Sequence, residues 1–132
     1  MKLITRDTDY AVRALCYIAK SKEKIVSVSD LVKALKIPQP FLRKILQILN
    51  KKRILKSYKG LGGGFALSQE SKKIYLLNII KAFQGKLQLN ECLFKKMACP
   101  NKSTCYLKKK IRAIEQNVIR DLESITISSL SR

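Results

Sequence analysis

The chain has 132 residues, 46% of them hydrophobic, which is enough for one modest core and too few for two independent ones. Its 28 Lys and Arg stand against 9 Asp and Glu, a formal charge of +19, and so one-sided a balance repels itself on folding unless a polyanion such as nucleic acid relieves it. No apolar run approaches the roughly 18 residues of a membrane span, and the absence of histidine removes the commonest catalytic base and metal ligand together.

Residues 1–21 are broken by Arg6, Asp7, Asp9 and Arg13, so they do not read as a signal peptide, and a cytosolic protein is expected. Over residues 7–20, Ala11, Ala14, Leu15 and Ile18 repeat at helical spacing, with Asp7 or Thr8 as the expected cap. Cys16 lies off that face and reads as a small packed residue.

After a charged connection, Val28, Leu31, Val32 and Leu35 fall at i, i+3, i+4 and i+7. Ser27 is the expected N-cap, with the Asp30 carboxylate reaching back to the cap amide and Val26 stapled against Leu31. Lys36-Ile37-Pro38 interrupts the pattern, because proline lacks an amide proton and pushes its predecessor out of helical geometry. A second helix starts near Gln39. Phe41, Leu42, Ile45, Leu46, Ile48 and Leu49 form its apolar face, and Gln39, Arg43, Lys44, Gln47 and Lys51 stand opposite. Gln39, Arg43 and Gln47 are four apart and share a ridge, and both side-chain types can bond base edges bidentately, as a recognition helix requires. Alone, the pattern serves an amphipathic hairpin with a solvated face equally well.

Lys51-Lys52-Arg53 is a basic exit suited to a helix C-terminus and to phosphates. Residues 54–58 and 65–68 predict two short strands, and Gly60, Gly62, Gly63 and Gly64 between them permit a tight ribbon tip, which makes a wing. No Gly-Lys-Ser/Thr closes the glycine run, so it is not a phosphate-cradling loop of Walker type. Tyr58 and Lys59 stand at the tip, where a cation can enter the minor groove. Residues 72–75 predict a small strand. Residues 76–84 predict a helix that buries Leu76, Ile79, Ile80 and Phe83 and ends at Gly85.

A last helix is expected over residues 104–127. Ile111, Ile114, Val118, Leu122 and Ile125 repeat at about 3.5 residues, the period that keeps one seam facing a partner helix. A homodimer through this helix is predicted, against the alternative that the seam packs back on its own subunit. Two-fold symmetry would then present two recognition helices to successive major grooves of a pseudo-palindromic duplex.

Between the last two helices lie Cys92, Cys99 and Cys105, spaced C-x6-C-x5-C. Thiols at this density favour soft metal, zinc or an iron–sulfur cluster, and Lys95, Lys96, Lys102 and Lys108 to Lys110 favour the thiolate. The spacing is neither that of a zinc ribbon nor that of a bacterial ferredoxin. With no histidine, a fourth ligand must be a carboxylate, a group from a partner subunit, or solvent.

The opening TDYAVRAL, the wing YKGLGGGF, the cysteine triad and a long final helix together resemble the IscR/NsrR-type bacterial transcription regulators over essentially the whole chain. That resemblance implies a homodimer, most often a repressor, whose affinity for a double-stranded operator depends on an iron–sulfur cluster of 2Fe–2S or 4Fe–4S type sensing nitric oxide, redox or iron status. By the resemblance, Cys92, Cys99 and Cys105 are cluster ligands. Gln39, Pro40, Arg43 and Lys44 would meet the major groove, and Lys59 the minor groove. Thr8-Asp9-Tyr10 matches the motif in which an aspartate completes the cluster from the opposite subunit. Lys108 stands where the iron–sulfur-biogenesis branch carries a histidine ligand, which favours Asp9. Arg43 replaces an acidic residue that some relatives use to choose DNA sites, so their operators do not transfer.

The expected architecture is mainly α with a small β-wing. A winged helix-turn-helix DNA-binding region covers residues 1–85, a cysteine loop 86–105, and a dimerisation helix and tail 106–132, all within one structural domain. Two rivals stand beside it: the same fold with zinc or thiol chemistry in place of a cluster, and a basic RNA-binding protein, which the small number of aromatics disfavours. No paired carboxylates or nucleophile elbow point to an enzyme.

Overall fold

The computed structural model describes residues 3–87 and 106–131, so Cys92, Cys99 and Cys105 lie outside the described residues. Helix α1 (Arg6–Lys20) is capped two to three residues before the expected positions, with the Thr5 side chain accepting from the Thr8 amide. Thr8 is no cap because it is fully buried and its hydroxyl donates to Gln84 Oε1 at 2.7 Å. Helix α2 (Val28–Leu35) has the expected cap, Ser27 Oγ accepting from the Asp30 amide at 3.1 Å. It ends at Lys36, whose φ of 55° lies in the left-handed region, and Pro38 then opens α3 (Gln39–Lys51).

Leu42, Ile45, Leu46 and Leu49 of α3 are buried, as its pattern predicts. Phe41 departs from expectation: it is 43% exposed, because it lies at the edge of the apolar arc, where the Arg6 guanidinium covers its ring. Together with Ala11, Ala14, Leu15, Leu31 and Ile79, the α3 residues form the main core.

The wing is an antiparallel pair, β1 (Leu55–Tyr58) and β2 (Gly64–Leu67), in register from Leu55 opposite Leu67 to Tyr58 opposite Gly64. Val26 pairs with the far side of β2: its amide donates to Phe65 O at 2.9 Å, and the Phe65 amide donates to Val26 O at 2.8 Å. Gly64 is needed for this approach, since a Cβ there would collide with the Val26 carbonyl and the Ser27 Cα.

Two expectations are corrected C-terminal to the wing. Residues 72–75 do not form a strand. The Lys73 amide closes a turn onto Glu70 O, giving a 3-10 turn over Ser71–Lys73, and Ile74 goes into the core while Tyr75 makes one isolated pairing with Thr126. The final helix is also not continuous to residue 127. Helix α4 (Leu76–Gln84) is followed, beyond the stretch not described, by α5 (Tyr106–Glu123), which stops before a separate turn of helix, α6 (Ile127–Leu130). The break arises because Thr126 and Ser129 bond each other's amides in a reciprocal cap, and such local side-chain bonds compete with helix continuation. Ile127, fully buried, returns to the main core, and its amide donates to Ile74 O at 2.9 Å.

The predicted seam of α5 is divided. Leu122 is buried against Leu76, Leu77, Ile80 and Leu87, with Val118 and Ile125 packed beside it, whereas Ile114 is 51% exposed.

Candidate nucleic-acid interface

The four buried residues of α3 fix its rotation about its own axis, so the opposite arc faces outward. Gln39, Pro40, Arg43, Lys44 and Gln47 are all exposed on it. With the Gln39 amide oriented by its hydrogen bonding, its oxygen accepts from Arg43 Nε at 3.2 Å and Nη2 at 2.9 Å. Two members of the ridge are therefore already joined. The guanidinium fork is held along the helix, which reduces the rotamer freedom lost when it meets a planar acceptor pair.

Arg6, at the start of α1, lies 4.9 Å from the centre of the Phe41 ring and 3.8 Å from the Asp7 carboxylate. This adds a cation beside the first turn of α3. Sequence reading missed it because Phe41 was assigned to the core; its position at the boundary of the apolar arc was the available signal.

On the wing, Tyr58 is 39% exposed and ends β1, and Lys59 is exposed beyond it. Leu61, at the ribbon tip, is entirely solvent-facing, which the sequence reading did not single out. Residues 31–69 contain no Asp or Glu, so helix, wing and their junction carry cations only. That arrangement concentrates positive potential on α3 and the wing.

Of the candidate cluster ligands, Asp9 is the one that lies among the described residues. Asp9 stands on α1 with its carboxylate 2.9 Å from Arg13 Nε in an i,i+4 pair, half exposed. Its neighbour Thr8 is locked to Gln84 at the end of α4. Cys16 is partly buried against the core; burial pushes its thiol up, opposed by the charge of Lys20 one turn on. Among the described residues no group of three or more His, Cys, Asp or Glu could hold a metal ion, and no helix is long and apolar enough to cross a membrane.

Residues 4–132 match the Rrf2 family model, described as an iron-dependent transcriptional regulator. The chain is 32% identical over 123 residues to an Aquifex aeolicus protein classed among the HTH-type transcriptional regulators, covering 92% of this chain and 85% of that one. It is 29% identical over 129 residues to the HTH-type transcriptional regulator NsrR of Shouchella clausii, covering 96% and 87%. In fold it resembles CymR, the global cysteine regulator of B. subtilis, with a TM-score of 0.80 at 24% identity over 99% of this chain and 97% of that one. It also resembles the T. potens IscR, at 0.75 and 22% over 98% and 85%. These relatives are regulators rather than enzymes, and the winged helix seen here is the fold they share. The chain belongs to the Rrf2 family of transcriptional regulators.

Proposed function

We propose that the protein is a homodimeric regulator that reads a pseudo-palindromic duplex with α3 in the major groove and the wing in the minor groove, its affinity set by an iron–sulfur cluster. One observation carries the DNA half: the Gln39–Arg43–Gln47 ridge faces outward from a helix whose opposite side is locked in the core, beside a wing free of carboxylates. In this reading Gln39, Arg43 and Gln47 meet base edges, Pro40 and Lys44 flank them, and Tyr58 and Lys59 lie along the minor groove. Most relatives named above are transcriptional regulators, which supports the same role.

For the cluster, the donor set of the chain fits: three thiols close in sequence and no histidine. Asp9 suits a fourth ligand given to another subunit, because its carboxylate is at the surface and its partner, Arg13, is an exposed side chain able to release it. Such a cluster supplies reactivity toward nitric oxide and oxidants. The protein's own contribution is the joint between Gln84 and Thr5 and Thr8, which ties the end of α4, where the cysteine segment begins, to the turn that carries Asp9 and Arg6. The exposed half of the α5 seam supports a dimer contact through Ile114 and its neighbours.

The test is selection of duplexes from a random-sequence library by protein prepared without oxygen, with its absorption spectrum and iron content recorded. Enrichment of a palindrome is expected, and Arg43→Ala should relax discrimination by about 1–3 kcal/mol at one base position per half-site. No enrichment would overturn the DNA reading. Enrichment by a colourless protein that takes up no iron on anaerobic reconstitution would overturn the cluster and leave a regulator using zinc or thiol chemistry.

A further inference from the structure

Asn50 in the last turn of α3, Arg53 in the turn that follows it, Lys56 and Tyr58 of β1, and Ser68 line a cleft of about 430 Å³ at the root of the wing. Two cations stand in its wall and no carboxylate does. Among the described residues neither Arg53 nor Lys56 is ion-paired, and both are exposed.

Arg53 has a φ of 63°, in the left-handed region that glycine enters freely and an L side chain only with strain. The backbone there is held from both ends. The Arg53 amide donates to Asn50 O at 3.0 Å, and the Ser68 hydroxyl shares its one proton between Arg53 O (2.5 Å) and Ile54 O (2.9 Å). The turn thus calls for glycine while the chain supplies arginine. Strain retained in this way is a reason to look for work done by the side chain.

We infer that this cleft seats one backbone phosphate of duplex DNA, with Arg53 and Lys56 supplying charge and Asn50 and Tyr58 supplying donors. The inference rests on the reading proposed above. A protein that reaches the major groove with α3 and the minor groove with the wing must straddle the sugar–phosphate strand between those grooves. The junction of α3 and β1 is the part of the protein that crosses that strand. Contact there carries no sequence information; it fixes register and adds affinity that falls with salt.

The probe is a fluorescent duplex of mixed sequence, titrated by anisotropy over a series of salt concentrations, with thermal melts of each protein. Arg53→Gly should melt at or above the wild-type temperature yet bind several-fold more weakly, with the log–log salt slope smaller by about 1. Arg53→Lys should keep the slope. Arg112→Ala, which removes the same charge from the exposed face of α5, should change it less. If the wild type binds the duplex and Arg53→Gly matches it in affinity and slope, or loses no more than Arg112→Ala, the phosphate seat is overturned and the regulator reading stands. A melting temperature for Arg53→Gly well below wild type also overturns it, by removing the strain on which it is built. A wild type that does not bind the duplex at low salt overturns both.

Discussion

Gln84 closes α4 and holds the start of the chain through its side-chain amide: Oε1 accepts from the Thr5 amide at 3.0 Å and the Thr8 hydroxyl at 2.7 Å, and Nε2 donates to Leu3 O at 3.2 Å. Two substitutions of nearly constant volume divide this set unequally. Thr8→Val removes the bond to Gln84 and the contact with the Thr5 hydroxyl but leaves Oε1 still engaged by the Thr5 amide, so it should cost about 1–2 kcal/mol. Gln84→Met strips all the bonds at once and leaves the Thr5 amide without its acceptor. The Thr8 hydroxyl escapes that fate, because Thr5 Oγ1 lies 3.1 Å away and can accept it. The cost should therefore be about 2–4 kcal/mol. For a chain of this size each kcal/mol lowers the melting temperature by roughly 3–5 °C, so the two variants separate clearly in thermal melts followed by circular dichroism. The double variant should fall short of the sum of the singles by about 1 kcal/mol, since both remove the same Thr8 bond. A Thr8→Val cost equal to that of Gln84→Met, or strict additivity, would show that Gln84 does not hold the first turn of α1.

Gly64→Ala should destabilise by about 1–3 kcal/mol in urea unfolding, because the added Cβ meets backbone of Val26 and Ser27 that cannot step aside without breaking the Val26–Phe65 bonds; a neutral result would detach the wing from α2. The Cys16 thiol is raised by burial, so its neutral form is favoured in the folded state: the unfolded chain releases its proton first as pH climbs, and the stability tied to the neutral thiol is lost above about pH 8.5. The wild type should accordingly lose more stability between neutral pH and mildly alkaline pH than Cys16→Ala does, and parallel pH profiles would refute it. In the dimer proposed above, Ile114→Asp should lower the sedimenting mass while each subunit keeps its helical circular dichroism, whereas Leu122→Ala should cost about 2–4 kcal/mol within the subunit; an Ile114→Asp protein that still sediments as a dimer would put the contact elsewhere.

Residue spacing made the helix-turn-helix and wing legible because each rests on local chemistry: Ser27 as a cap, Pro38 as a break, glycines between two short apolar runs. What the spacing left open was which partner each apolar residue would find. Phe41 carries the hydrophobicity of a core residue but lies at the rim of its arc, and a cation from a distant part of the chain covers it. Ile125 reads as the last residue of a seam on a helix reaching Ile127, yet the hydroxyls of Thr126 and Ser129 stop the helix between Glu123 and Ile127. The ridge was visible as a pattern of charges and amides, whereas the strain at Arg53 was not, since a backbone angle follows from the turn that must be closed and leaves no mark on residue type when arginine occupies it.

The α3 ridge and the wing share one origin in the core. Leu42, Ile45, Leu46 and Leu49 set the rotation of α3, and the Val26–Phe65 pairing ties the wing to the residue that precedes the Ser27 cap of α2. Interiors packed in this way shift between discrete arrangements rather than deform smoothly, so the distance from ridge to wing within one subunit is a fixed property. Under the function proposed above, a signal that changes affinity therefore has two places to act. One is the first turn of α1, which is held by hydrogen bonds rather than by apolar packing alone and meets the base of α3 through Arg6. The other is the relation between two copies, where a displacement of a few Å would deny the second ridge its groove and remove the gain from simultaneous binding.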